Sequence, residues 1–163
     1  GILNFKDPYF NMVRPGISLY GYYPDRKKVV RDIGIKPVMT LRSRVNFLKS
    51  VPKRESISYG RLHFTDKLTK IASIPVGYGD GYSRLLTNKS KVLINGKPYD
   101  TVGAVCMDWV MADTGSSSEV NVNDEVILFG EDYPAYKLSE ITGTIVYKII
   151  CSVSSRVKRV YTY

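Results

Sequence analysis

The chain is dominated by alternating apolar and polar residues, the pattern typical of strands that are buried on one face. Over residues 38–51 the odd positions are largely apolar and the even positions largely polar, which predicts one long half-buried strand. Asn95-Gly96 is a strong signal for a type I′ hairpin. Further short strands are predicted at residues 70–76, 91–94, 97–99, 102–111 and 125–129.

Helical periodicity appears only late in the chain. Residues 138–142 predict a short helix that ends at Gly143, and residues 144–150 predict another turn or two. The closing residues 156–161 return to strand character. Short strands separated by clusters of turn residues therefore predict a mainly β, barrel-like domain with short late helices.

The N-terminal segment differs from this β-rich remainder. It combines a loop, a turn and a short buried stretch with a polar, basic linker at residues 25–32. We therefore place a domain boundary near residue 33, with residues 1–32 as a separate segment and 33–163 as the β domain. A chain of 163 residues suits one domain plus a fragment of another.

Charge and composition restrict the classes of function. The net charge of +9 suggests a nucleic-acid partner, but the basic residues are scattered in short groups, which favours a solvated basic surface. A basic β-barrel that binds nucleic acid remains the alternative function. No apolar run approaches the ~18 residues that span a bilayer, so we expect a soluble, cytoplasmic segment, with a membrane anchor elsewhere in a longer parent chain left open.

Few residues offer metal or nucleophile chemistry. Cys106 and Cys151 lack the spacing of metal ligands and lie in apolar stretches, which predicts reduced core thiols. His63 is the single histidine, which argues against a His-based metal site and a Ser-His-Asp triad, so no metal is expected.

Tyr59 is the strongest catalytic candidate, although the residues around it do not establish that role. It lies between Ser58 and Gly60 after a polar stretch, so a loop or strand edge is expected to project it. A phenol titrates near pH ~10 and serves as a base at neutral pH only beside cations. Arg61 would share a face with Tyr59 on a strand. By itself the pattern fits a packed tyrosine, one of 13, better than a base.

Five linked motifs change this estimate. They occur in the order found in the alanine racemases, and together they cover essentially the whole chain. They are Val13-Arg14-Pro15-Gly16-Ile17, Ser58-Tyr59-Gly60-Arg61, Pro75-Val76-Gly77-Tyr78-Gly79-Asp80-Gly81, Gly103-Ala104-Val105-Cys106-Met107-Asp108 and Arg156-Val157-Lys158-Arg159-Val160-Tyr161. The chain therefore resembles the C-terminal domain of this family, whose members use pyridoxal 5′-phosphate (PLP).

The resemblance implies a two-base racemase built as a head-to-tail homodimer. Its (β/α)₈ barrel, with the lysine that carries PLP, is mostly absent here, and residues 1–32 would be the last strand and exit segment of that barrel. Tyr59 would reach the partner subunit's site and face that lysine across a small amino-acid substrate. The isolated chain is expected neither to hold PLP firmly nor to racemise an amino acid, and no nucleic-acid partner is expected.

The resemblance also assigns contacts to the cofactor. Arg14 matches the arginine placed against the PLP pyridine nitrogen, to which a permanently protonated guanidinium donates. Gly16 and Ile17 match residues whose backbone N–H groups hold the phosphate. Without the family resemblance, Arg14 would be interpreted as a surface arginine, and Gly16 and Ile17 as part of a plain turn.

Five further residues are implied at the substrate site. Tyr78 and Arg84 resemble residues of the entrance corridor, and Met107 matches the residue whose backbone N–H contacts the substrate carboxylate, with Asp108 beside it. Ser155 stands where the family commonly has a tyrosine in the pocket. The extra space and hydroxyl suggest serine as a substrate beside alanine, although a neutral pocket change in an alanine racemase explains Ser155 equally well.

One further position differs from the family, and two alternative functions are open. Ala104 stands where many members of the family have an arginine in the corridor, so this position carries no charge here. The PLP decarboxylases with the same two-domain plan are a weaker alternative, because their C-terminal domains donate a cysteine that the Tyr59 motif does not match. A dimerisation module that has lost its catalytic half is the third possibility.

Overall fold

A computed structural model of the protein describes residue 4, residues 11–25 and residues 32–162. The chain folds into two compact units, residues 1–39 and 40–163. In the first unit a 3-10 turn, Gly16–Tyr20, buries Ile17. Most of the predicted linker at 25–32 lies outside the described residues. The assignment of residues 1–32 to a barrel stays a prediction.

The second unit is built on one antiparallel sheet of seven strands. The strands lie in the order β1-β7-β4-β5-β6-β3-β2. Asn95 and Gly96 both have positive φ, 49° and 76°, which is the backbone of the predicted type I′ turn between β4 and β5. The strands are β1 (Leu41–Arg44), β2 (Phe47–Val51), β3 (Thr69–Ile74), β4 (Lys91–Ile94), β5 (Lys97–Thr101), β6 (Val110–Asp113) and β7 (Glu125–Phe129).

The sheet curls because its two edge strands are consecutive in the chain. Strand β1 pairs with β7 and β2 pairs with β3, yet only Val45 and Asn46 connect β1 to β2. The Val45 N–H donates to Asp124 O at 2.9 Å, and the Asn46 N–H donates to Ser73 O at 2.9 Å. The three Cα–Cα steps from Arg44 to Phe47 span at most about 10 Å, so the end of one edge strand must lie close to the start of the other. The predicted barrel-like β fold is thereby confirmed, although the single strand predicted for residues 38–51 is two strands.

Two other predicted strands are wrong in extent. Residues 102–109 form a loop, and only Val110–Asp113 is strand. Residues 156–161 contain no strand, because the Arg159 guanidinium donates to the carbonyls of Val153, Ser154 and Val157 and folds this segment on itself. The apolar residues at 102–105 are buried in an irregular loop, whereas Val160 and Tyr161 at the end of the second segment are exposed.

Two short helices follow the sheet, as predicted. Helix α1 (Ala135–Thr142) ends at Gly143, whose left-handed conformation caps the helix. Helix α2 (Val146–Ser152) packs against α1. Leu138 of α1 and Leu86 of the 3-10 turn Arg84–Leu86 are each 1% exposed, and these two elements are in contact. The helices therefore cover the part of the core beside the 84–86 turn.

Among the described residues, the buried side-chain polar atoms have hydrogen-bond partners, with the exception of the Ser154 hydroxyl. Tyr82 is 2% exposed, and its hydroxyl donates to Ser90 Oγ at 3.0 Å. Burial raises the pKa of Tyr82 well above its ordinary value, so it stays a neutral donor. Cys106 is half-buried and Cys151 is exposed, both as free thiols, so the prediction of two core thiols is wrong.

Membrane-spanning helices and metal clusters are both absent from the described residues. No helix in this part of the chain has the length and apolarity to cross a membrane. Within the same residues, no group of three or more His, Cys, Asp or Glu side chains is arranged to hold a metal ion.

Gly81 provides a test of how tightly this fold is packed. Its φ is 101°, and a Cβ there would lie 2.1 Å from Ser152 O at the end of α2. Gly115 has φ 78° with no atom within 4 Å of a Cβ, so it is the matched control. We expect Gly115→Ala to cost roughly 1–2 kcal/mol of unfolding free energy and Gly81→Ala about 3 kcal/mol or more, measured by urea unfolding. Equal losses would show that the 81–152 contact is loose.

Candidate active site

Tyr59 lies on a strained and exposed turn. The 3-10 turn Tyr59–Arg61 follows Ser58, which has φ 65° and ψ −175°, a conformation that is nearly confined to glycine. Arg61 also has positive φ, 51°. Such residues each cost about 1–3 kcal/mol and persist only where surrounding contacts impose them. Tyr59 itself is 77% exposed, so its ring is presented to solvent rather than packed in the core.

Hydrogen bonds hold the ends of this turn. The Ser58 hydroxyl donates to Ala104 O at 2.8 Å and lies 3.3 Å from Cys106 Sγ. The Ile57 N–H donates to His63 O at 3.0 Å. The Ile57 bond closes the turn, and the two Ser58 contacts connect it to the loop at residues 102–109.

Arg61 does not have the position that strand geometry would give it. The segment is a turn, so the alternation of a strand does not apply, and the expectation that it would place Arg61 beside the phenol is wrong. The Arg61 guanidinium instead lies over the ring of Phe64, 5.3 Å from the ring centre.

A cavity of about 380 Å³ brings three of the predicted residues together. Tyr59, Met107 and Asp108 line it. The other lining residues were not expected from the sequence: Ser58, Cys106, Trp109 and Met111. Each of these residues lies within or beside one of the sequence motifs that contain a predicted residue. Membership of those motifs was therefore the signal that could have identified them.

Tyr78 approaches the same loop through its backbone. The Tyr78 N–H donates to Cys106 O at 3.0 Å, and the Gly79 N–H donates to Met107 O at 2.9 Å. A Cβ on Gly77 would lie 2.2 Å from Cys106 O, so only glycine permits this approach. Tyr78 is 47% exposed, and it is outside the residues that line the cavity.

Arg156 joins these two loops electrostatically. Its Nε donates to Asp80 Oδ1 at 2.7 Å, and its Nη2 donates to Asp108 Oδ1 at 2.6 Å. Asp80 Oδ2 accepts the Gly77 N–H at 2.9 Å. The hydrogen bonds that Arg156 donates to Asp80 and then to Asp108 raise the pKa of Arg156, so its guanidinium stays protonated. The Asp108 carboxylate is therefore used in holding the loop beside the cavity.

The remaining predicted residues lie outside the cavity lining. Ser155 is exposed and directly precedes Arg156, whose guanidinium contacts Asp108. Arg84 is exposed and begins the 3-10 turn Arg84–Leu86. Arg14, Gly16 and Ile17 belong to the N-terminal unit.

The N-terminal unit has features that fit a phosphate. Gly16 and Ile17 begin the 3-10 turn Gly16–Tyr20, where backbone N–H groups have no partner within the turn. Gly16 is exposed, whereas Ile17 is 4% exposed, so the buried Ile17 anchors the turn and Gly16 lies at its exposed start. Arg14 is exposed as well. These residues suit the phosphate and ring nitrogen of PLP.

The Arg156 bridge predicts a local effect on the two loops. Arg156→Ala should make the Gly77 and Gly79 amides exchange several-fold faster with solvent deuterium, because the Gly77 acceptor lies on Asp80 and the Gly79 acceptor lies on Met107, next to Asp108. Arg42→Ala, which breaks the exposed pair of Arg42 with Glu125, is the matched control. Protection that is unchanged in Arg156→Ala would remove Arg156 from the support of this site.

Comparison with known proteins identifies the family. The family described as alanine racemase, C-terminal domain, matches residues 38–161. The chain is 46% identical over 165 residues to alanine racemase of Clostridium novyi, covering 98% of this chain and 43% of that protein. It is 45% identical over 161 residues to alanine racemase of Desulforamulus reducens, covering 98% and 44%.

Solved structures give the same result. Alanine racemase of Clostridium difficile 630 superposes with a TM-score of 0.92 at 41% identity, over 99% of this chain and 42% of that one. The Bacillus anthracis enzyme with bound L-Ala-P has a TM-score of 0.87 at 35% identity, over 96% and 41%. The chain thus spans less than half the length of these relatives. It belongs to the alanine racemase family and corresponds to the C-terminal domain of its members.

Proposed function

We propose that this chain is the C-terminal part of a PLP-dependent racemase that interconverts L- and D-alanine, and that it supplies Tyr59 to the active site of a partner subunit. The observation that carries the proposal is the placement of Tyr59. A tyrosine that is 77% exposed, on a strained turn beside a cavity lined by Met107 and Asp108, is arranged for contact outside its own core.

Racemisation defines what Tyr59 has to do. The substrate Cα must lose a proton on one face and regain one on the other, so two bases on opposite faces serve better than one. Tyr59 would hold or accept the proton at its phenol oxygen on one face, and the PLP lysine of the missing barrel would act on the other. The exposed turn allows the phenol to reach a substrate bound by another subunit in a head-to-tail homodimer.

The cofactor and substrate contacts are those that the family resemblance implies. PLP supplies the electron sink that makes the Cα proton acidic. Arg14 would donate to the pyridine nitrogen, and the amides of Gly16 and Ile17 would bind the phosphate. The Met107 N–H would bind the substrate carboxylate, with Asp108 held beside it by Arg156. In the entrance corridor for the substrate, Tyr78 would narrow the passage and Arg84 would provide a positive charge.

The alternative functions have less support. The family match over residues 38–161 favours the racemase over a basic β-barrel that binds nucleic acid. The exposed, strained turn at Tyr59 is likewise a feature that a purely structural dimerisation module would have no reason to retain.

We further propose serine as a second substrate. Ser155 is exposed and directly precedes Arg156. Where the family resemblance implies a tyrosine ring, serine would leave space and a hydroxyl. A hydroxyl donor or acceptor would favour the serine side chain over the alanine methyl group.

The role of Tyr59 is tested in the full-length enzyme. Tyr59→Phe removes the proton-carrying oxygen and keeps the ring, so kcat for alanine racemisation should fall about 10²–10⁴-fold. Tyr147→Phe, a change at an exposed position on α2, is the control and should be neutral. The measurement is the rate of D-alanine formation by coupled assay. Full activity in Tyr59→Phe would remove Tyr59 from the chemistry.

The substrate preference is tested at residue 155. Ser155→Tyr should lower kcat/KM for serine relative to alanine by about tenfold, because the ring fills the space and the hydroxyl is displaced. Ser155→Thr keeps a small side chain with a hydroxyl and should preserve the ratio. An unchanged ratio in Ser155→Tyr would reject serine as a substrate selected at this position.

A further inference from the structure

We infer that Asn88 is a positioning residue that holds the Tyr59 turn and the Met107 loop in one fixed arrangement, an inference that rests on the proposed function. Its Nδ2 donates to Leu62 O at 2.9 Å, and its Oδ1 accepts the Gly103 N–H at 2.5 Å. A single side-chain amide thus joins two loops that are about forty residues apart in the chain.

The two partners of Asn88 lie next to the predicted chemistry. Leu62 caps the C-terminal end of the Tyr59–Arg61 turn. Gly103 begins the loop that leads to Met107. The amide therefore sets the distance between the turn that carries the phenol and the loop that carries the proposed carboxylate-binding N–H.

The chemistry of this link requires asparagine. A primary amide donates and accepts at once, whereas aspartate accepts only and alanine does neither. The backbone at Asn88 also has φ 57°, a left-handed conformation that asparagine tolerates better than most residues. Neighbouring Thr87 supports the same loop, because its hydroxyl accepts the Val105 N–H at 3.1 Å and donates to Arg84 O at 2.8 Å.

Strain explains why such a link matters for Tyr59. Ser58 and Arg61 are held at positive φ and relax unless outside contacts retain them. Tyr59 is largely exposed, so packing of its own ring does little to fix its position. Loss of the Asn88 link would let the phenol move relative to Met107, and displacement of a catalytic group by about 1 Å lowers rates by about 10²-fold.

Kinetics of the full-length enzyme test the inference. Asn88→Ala should lower kcat for alanine about 10–100-fold and leave KM within about threefold, because the link positions a proton-transfer group rather than binding substrate. Asn123→Ala is the matched control, since Asn123 also has positive φ, 76°, on the connection that precedes β7. Equal losses in the two variants, or a change confined to KM, would overturn the inference.

A double-mutant cycle shows whether Asn88 acts through Tyr59. In the Tyr59→Phe background, Asn88→Ala should add little further loss, since the oxygen that it positions is already absent. Losses that multiply independently would mean that Asn88 acts elsewhere and would reject the inference. Tyr59→Phe with full activity would refute the proposed role of Tyr59 and, with it, the catalytic role of the link.

Hydrogen exchange in the 163-residue chain tests the Asn88 hydrogen bonds without an activity assay. Asn88→Ala should speed exchange of the Gly103 amide at least about tenfold, whereas Asn88→Asp keeps the acceptor and should retain its protection. Asn88→Asp should nevertheless lose kcat, because it cannot donate to Leu62 O. Absence of racemase activity in the wild-type enzyme would reject the proposed function. Unchanged exchange of the Gly103 amide in Asn88→Ala would separately reject the proposed link through Asn88.

Discussion

The candidate site depends on the close approach of two backbone loops. The N–H groups of Tyr78 and Gly79 donate to the carbonyls of Cys106 and Met107, and Gly77 has no Cβ to obstruct them. Each bond by itself contributes only about 1 kcal/mol. Their importance is geometric, because they fix the loop that bears Met107 and Asp108 relative to the body of the domain.

Three further contacts, one ion-pair bridge and two sets of side-chain hydrogen bonds, support this arrangement. Arg156 bridges Asp80 and Asp108, Ser58 donates to Ala104, and Asn88 joins Leu62 to Gly103. Each contact connects residues that are far apart in the chain, so the site exists only when the domain is folded. The Ser58 and Asn88 contacts lie on the Tyr59 turn, where Ser58 and Arg61 have unfavourable backbone conformations that an isolated peptide would relax.

Much of the fold was predictable, and the errors have a common cause. The strands at 91–94 and 125–129, the hairpin at Asn95-Gly96 and the helix end at Gly143 are set by local pattern and turn chemistry, and they were predicted correctly. Residues 38–51 do alternate, but the chain changes from one sheet edge to the other at Val45 and Asn46. Residues 102–109 carry a strand-like pattern and form a loop, because their apolar side chains pack without pairing in the sheet.

The sequence by itself determined the barrel-like β class, the order of the motifs and the residue types of the candidate site, because these depend on periodicity and on local turn chemistry. Only the tertiary structure decided that Tyr59 lies on a strained turn, that Arg61 stacks on Phe64, and which cavity Tyr59 shares with Met107. It also revealed the contacts of Asn88 and Arg156. The physical reason is that hydrogen bonds and ion pairs between distant segments leave no periodic trace in the sequence and form only when folding brings those segments together.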